Sequence, residues 1–107
     1  PMWLAPTQVK ILPIADRHFD YAYDVKKQLE AKGMRVELDD RNEKIGYKIR
    51  EARMQRVPYM LVMGDSEVES GTLSVRSRKE GDLGAKSVDE FITNALVEIN
   101  TKANGLD

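Results

Sequence analysis

The side chains in this sequence best suited to binding chemistry are arginines, lysines and one amide. Arg76 and Arg78 stand two residues apart, a spacing that puts both guanidinium forks on one side of a strand. There each fork can hold a guanine edge or a phosphate through two parallel hydrogen bonds. An edge strand protected by charge would have the same spacing, so both readings stand. Tyr47, Arg50 and Met54 fall in one sector of a helix, with Lys44 and Lys48 near its start. A ring and a thioether flanking an arginine can stack on a single-stranded base while lysines meet its phosphates, and contact with another domain would ask for the same groups. Asn42 offers a donor and an acceptor to a base edge, or serves as a helix cap.

The inventory for catalysis is thin. His18 is the sole histidine and there is no cysteine, so thiolate chemistry, disulfides and a His/Cys metal set are excluded, and capping or plain exposure explains His18. Neither GxGxxG nor GxxxxGK[ST] occurs, and the glycines at 64, 71, 81 and 84 are spaced like turns. Asp39-Asp40 and Glu67-x-Glu69 could pair for acid–base work or a Mg²⁺ ion, but no third ligand accompanies them. Caps and hairpin ends account for both pairs. No catalytic and no metal-ligating residue is assigned.

Net charge is only −1, yet it is unevenly spread. Residues 41–56 carry six basic groups against Glu43 and Glu51, and residues 76–86 carry Arg76, Arg78, Lys79 and Lys86 against Glu80 and Asp82. Two basic islands on an acidic background fit a polyanion, or two solvated faces. With 107 residues, 41% of them apolar, the chain supports one small core. The longest apolar run, Tyr59 to Met63, is far too short to span a bilayer, and no secretory signal opens the chain, so a cytoplasmic setting is expected. Pro rather than Met at residue 1, followed by Trp3-Leu4-Ala5-Pro6, reads as the end of a linker in a longer protein.

The elements that must position these side chains follow from periodicity. Val9 to Ile14 reads as a strand and His18 to Lys32 as a helix stopped by Gly33. Met34 to Leu38 alternates as a strand, and Asp40 with Glu43 has capping-box-like spacing before a helix over 44–56 whose buried stripe is Ile45, Ile49 and Ala52. Pro58 ends that helix, Tyr59 to Met63 reads as a buried central strand, and a turn at 69–71 leads to a strand over 72–78. Ser87 and Glu90 cap a last helix with the stripe Val88, Phe91, Ile92, Ala95, Leu96 and Ile99. Strands alternating with helices predict parallel pairing in a three-layer α/β/α sandwich. Ligands of such sheets gather at the carboxyl ends of the strands, which marks the loops 39–44 and 64–69.

The run Asp40-Arg41-Asn42-Glu43-Lys44-Ile45-Gly46-Tyr47-Lys48-Ile49-Arg50-Glu51, then Arg56 through Glu69, closely resembles the C-terminal anticodon-binding domain of bacterial threonyl-tRNA synthetases. Trp3-Leu4-Ala5-Pro6-x-Gln8-Val9 and Val75-Arg76-x-Arg78 are similar to the same family, and the resemblance covers residues 3–100. It implies a mixed five-stranded sheet with about three helices in a domain at 7–100, after a linker end at 1–6 and before a disordered tail at 101–107. It further implies that Asn42, Arg50, Glu67 and Arg76 contact anticodon bases of threonine tRNA, with Lys44, Tyr47, Lys48, Arg78 and Lys79 as additional RNA contacts. The parent enzyme would be a homodimeric ligase using ATP, Mg²⁺ and Zn²⁺ in a catalytic domain, with no cofactor in this segment. The alternative is a protein-interaction or dimerisation domain of a synthetase paralogue that has lost RNA binding.

Overall fold

The computed structural model describes residues 4–103. Its elements are β1 (Val9–Pro13), a 3₁₀ turn (Asp16–His18), α1 (Phe19–Ala31), β2 (Val36–Leu38), α2 (Ile45–Met54), β3 (Tyr59–Met63), α3 (Asp65–Ser70), β4 (Thr72–Ser77), β5 (Gly81–Ser87) and α4 (Val88–Ala103). The strands form one mixed sheet in the order β2-β1-β3-β4-β5. β1 pairs parallel with β2 and β3, because helices carry the chain back between them, while β3, β4 and β5 pair antiparallel through shorter connections.

Layering follows from the apolar stripes. Ala22, Val25 and Leu29 of α1 and Phe91, Ile92 and Ala95 of α4 bury against Val9, Ile11, Leu61, Met63, Leu73 and Val75 on one sheet face. Ala52 of α2, with the partly buried Ile45 and Ile49, covers Leu12, Met60 and Val62 on the other. β3 is buried on both faces along its whole length, as its uninterrupted apolar run predicts.

Several expectations are corrected. Residues 65–70, read as hairpin end and turn, form α3, a helix beyond the three expected, started by Gly64 and closed by Gly71 at φ 69. One and a half turns are too few for a periodic stripe to register in a sequence. The Asp40/Glu43 capping box does not form: α2 starts after Lys44 without a side-chain cap, and Asp40 accepts from the Tyr23 hydroxyl at 2.8 Å. β2 starts at Val36 because the Met34 amide donates back to Leu29 of α1. β4 ends at Ser77, which moves Arg78 off the strand face and into the hairpin turn at 78–80. α4 runs through Ala103 into the expected tail, whose remaining residues 104–107 lie outside the described residues, as do residues 1–3 of the expected linker end.

Candidate nucleic-acid interface

Arg76 lies opposite Met60 across the β3–β4 pair, and Met60 belongs to the core beneath α2. The Arg76 side chain therefore leaves the sheet on the α2 face. A register shift between Val75 and Arg76 sets Gly84 and Asp82 opposite them, leaving Leu83 as the extra residue on β5. Such a bulge bends the ribbon and re-aims the side chains beside it. Arg76 meets Arg53, Arg78 and Asp82 around a cavity of about 380 Å³ lined also by Val57 and Met60. Its Nε is buried and has no hydrogen-bond partner. An orphaned buried donor is costly, and the rest of the Arg76 side chain is only partly buried, so this guanidinium is not committed to any acceptor within the fold.

The hairpin turn at 78–80 is built to present charge. Ser77 Oγ accepts from the Lys79 and Glu80 amides at 3.2 and 3.1 Å, and the Arg78 amide donates to Pro58 O at 2.9 Å. Arg78 thus borders a second, larger groove of about 830 Å³, shared with Lys79 and Arg56. The far wall of this groove is Tyr59, whose hydroxyl donates to Glu98 at 2.7 Å. Burial, and then that hydrogen bond, push the Tyr59 phenol well above its ordinary range.

Arg56 is a residue that periodicity does not single out. It follows α2 with φ 58, the one positive φ at a non-glycine residue among the described residues. The Val57 amide donates to Ala52 O at 3.3 Å and the Arg56 amide to Arg53 O at 3.0 Å, a Schellman closure in which arginine holds the position usually given to glycine. The missing glycine before Val57-Pro58 is the signal in the sequence that points to it. This left-handed backbone sets Arg56 on the wall of the larger groove, with Arg78 and Lys79. Arg56→Gly is expected to raise stability by about 1 kcal/mol, the approximate steric cost of a left-handed L-residue, measured as a higher urea midpoint at unchanged slope. An unchanged or lower midpoint would show that position 56 stores no strain.

The carboxyl edge of the sheet holds the other expected residues. β1 lies between β2 and β3, and its flanking helices α1 and α2 cover opposite faces, so a polar crevice of about 480 Å³ opens beyond the strand ends. Asn42 lines it, exposed, and is not the cap of α2. Glu67 caps α3 instead of ending a hairpin: its Oε1 accepts from the Gly64 amide at 2.7 Å, which leaves Oε2 for another donor.

Two expectations for this edge are corrected. Lys48, read as an outward RNA contact, is only 2% exposed, and its ammonium donates to Pro13 O at 3.2 Å and Asp39 O at 3.1 Å. Of the two readings of His18, capping holds and exposure does not: the ring is buried, and Nδ1 accepts from the Ala15 amide at the start of the 3₁₀ turn at 3.1 Å, which leaves the ring proton on Nε2 to meet Asp65 Oδ1 at 2.6 Å. Asp65 also takes a two-bonded guanidinium from Arg17. That guanidinium first, then the His18 ring, hold its carboxyl below the usual carboxylate range.

The remaining residues face outward on α2. Arg50 is exposed and stands outside the walls of all three cavities. Lys44 is exposed, Tyr47 is half-exposed with the Arg41 guanidinium 5.7 Å from its ring centroid, and Met54 is 76% exposed. The expected site is therefore divided between an arginine-lined cavity at one end of β3 and a crevice at the other, with α2 spanning the two. Among the described residues no His, Cys, Asp or Glu cluster is placed to hold a metal ion, and no helix is long and apolar enough to cross a membrane.

Comparison with known proteins agrees with this geometry. The model of the anticodon binding domain family matches residues 8–98. The threonine–tRNA ligase of Caldanaerobacter subterraneus is 61% identical over 103 residues, covering 96% of this chain and 16% of that enzyme. That of Natranaerobius thermophilus is 59% identical over 100 residues, covering 94% and 16%. The chain thus spans about one sixth of the length of these relatives. The crystal structure of the RNA binding domain of threonyl-tRNA synthetase from Cryptosporidium parvum superposes with a TM-score of 0.82 at 30% identity, over 88% of this chain and 24% of that one. Sequence match and fold likeness agree, and the chain belongs to the anticodon-binding domain family.

Proposed function

We propose that this chain reads the anticodon of threonine tRNA on behalf of a threonine–tRNA ligase and carries no catalysis itself. The observation that carries this reading is the partly exposed Arg76 side chain, whose Nε has no partner within the fold, in a cavity walled by Arg53, Arg78 and Asp82. A guanidinium held in that way binds a base edge or phosphate without first breaking an internal bond. Arg56, Arg78 and Lys79 extend the positive surface along the backbone path, and Asn42 and the free Oε2 of Glu67 supply an amide and an acceptor at the opposite end. A carboxylate oxygen adds selectivity there, since it accepts from a base amino or imino group and repels a base that presents an acceptor.

The parent enzyme, on this reading, is a cytoplasmic homodimer whose catalytic domain holds ATP, Mg²⁺ and Zn²⁺. The test is titration of the 107-residue chain with an anticodon stem-loop of threonine tRNA and with stem-loops altered at the second and third anticodon positions, at one fixed salt concentration. The cognate loop should bind at least about ten-fold more tightly than either altered loop, since each wrong base costs roughly 1–3 kcal/mol. Equal affinity for all three would refute anticodon reading.

A further inference from the structure

We propose that Lys48 is a positioning residue that holds Asn42 in place for base reading. This rests on the role given to Asn42 above.

Lys48 sits on the α2 face turned toward the sheet, almost wholly buried, and a buried ammonium is expensive unless it is hydrogen-bonded. Its two acceptors come from different elements. Pro13 O is the last carbonyl of β1, and Asp39 O is the first beyond β2. The two strands part at this edge, and the lysine closes the gap between them. Methionine would fill similar volume without desolvating a charge, and replacing buried ions by apolar groups is often neutral or stabilising. Stability alone therefore gives no reason for a lysine, whereas fixing the position of Asp39 does.

From Asp39 onward the loop is tied residue by residue. The Asp39 amide donates to Ile11 O at 2.9 Å. Its carboxylate takes the Arg41 amide, Nε and Nη2 at 3.2, 2.9 and 2.8 Å. Arg41 also reaches Glu51 on α2, Asp40 takes the Tyr23 hydroxyl, and the Glu43 amide closes onto Arg41 O. Asn42 lies between these anchored residues, and its own amide makes no hydrogen bond among the described residues. A loop wired on both sides of one free amide is pre-organised, so binding pays little ordering entropy.

Two measurements test this. In the free chain, exchange of the hydrogen-bonded loop amides of Asp39, Arg41 and Glu43 should accelerate roughly ten-fold in Lys48→Met while amides of β3 and α1 keep their protection. Unchanged exchange in the loop, or equal acceleration everywhere, overturns the proposal. If Lys48→Met does not fold, Lys48→Gln, which keeps a shorter donor, is judged by the same criterion. With the cognate stem-loop, Lys48→Met should lose about ten-fold in affinity alone, but less than about two-fold when added to Asn42→Ala, because both remove one interaction. Losses that multiply would mean that Lys48 acts elsewhere, and would overturn it. If Asn42→Ala by itself costs nothing, the base-reading role of Asn42 fails, and loop exchange alone then decides whether Lys48 pins the loop.

Discussion

Replacing Arg76 with alanine should lower affinity for the cognate anticodon stem-loop by about ten- to a hundred-fold while leaving affinity for loops altered at the same base nearly unchanged. The reasoning starts from the free chain. The bulge at Val75/Arg76 aims the guanidinium under α2, and its Nε is satisfied by nothing in the protein. Whatever the RNA supplies to that donor is gained without exchange against an internal partner. Removing the side chain therefore removes a specific contact and, with it, a desolvated group that is unfavourable in the free state, so folding stability should hold or rise slightly. Lys79→Ala is the control. This residue is exposed on the turn beside Arg78, so its loss should weaken all loops alike and lower the salt dependence by about one phosphate's worth. The decisive quantity is the ratio of cognate to altered affinities. If it stays unchanged in Arg76→Ala, base reading by Arg76 is wrong.

The largest expected loss of stability is at Leu61. It is fully buried in the middle of the central strand, level with Ile11 of β1 on one side and Val75 of β4 on the other. All three belong to the core shared by α1 and α4. Leu61→Ala should cost about 3–4 kcal/mol, because such a site cannot collapse around the lost methyl groups without shifting two neighbouring strands. Against a total of roughly 5–15 kcal/mol for a domain of this size, that is enough to unfold a substantial fraction on moderate warming. Val97, exposed on α4, should tolerate alanine within about 0.5 kcal/mol. Urea unfolding of both variants measures the contrast, and a Leu61 cost below about 1 kcal/mol would place the core elsewhere.

Elements that bury a long regular stripe were legible in the residues themselves. The helix after Ser87 shows its spacing over three turns, and the run from Tyr59 to Met63 has no polar position to expose, so it has to sit in the middle of a sheet. The three-layer order followed from strands alternating with helices. What escaped was short or irregular. α3 is too brief to show a stripe, and the register shift that aims Arg76 leaves no mark beyond a glycine in β5.

The binding surface divides along the same line. Its residue types were legible, since arginines two apart and an amide before a basic helix state a chemistry wherever they fold. Which of them face outward was less so. Lys48 lies about 40° from Ala52 around α2, on the edge of the buried stripe, and periodicity alone would have turned it inward against its charge. A lysine can be buried only where acceptors await it, and those acceptors, Pro13 O and Asp39 O, belong to other strands and carry no side-chain identity to read. The same holds for His18, whose partner Asp65 lies 47 residues away, and for Arg56, whose strain is a property of how α2 hands the chain to β3. Side-chain spacing by itself determined the layered α/β order and the residue types available for binding. The tertiary structure alone decided which charges are spent inside and which are left for a ligand, because that depends on backbone carbonyls and carboxylates brought together only when distant segments pack.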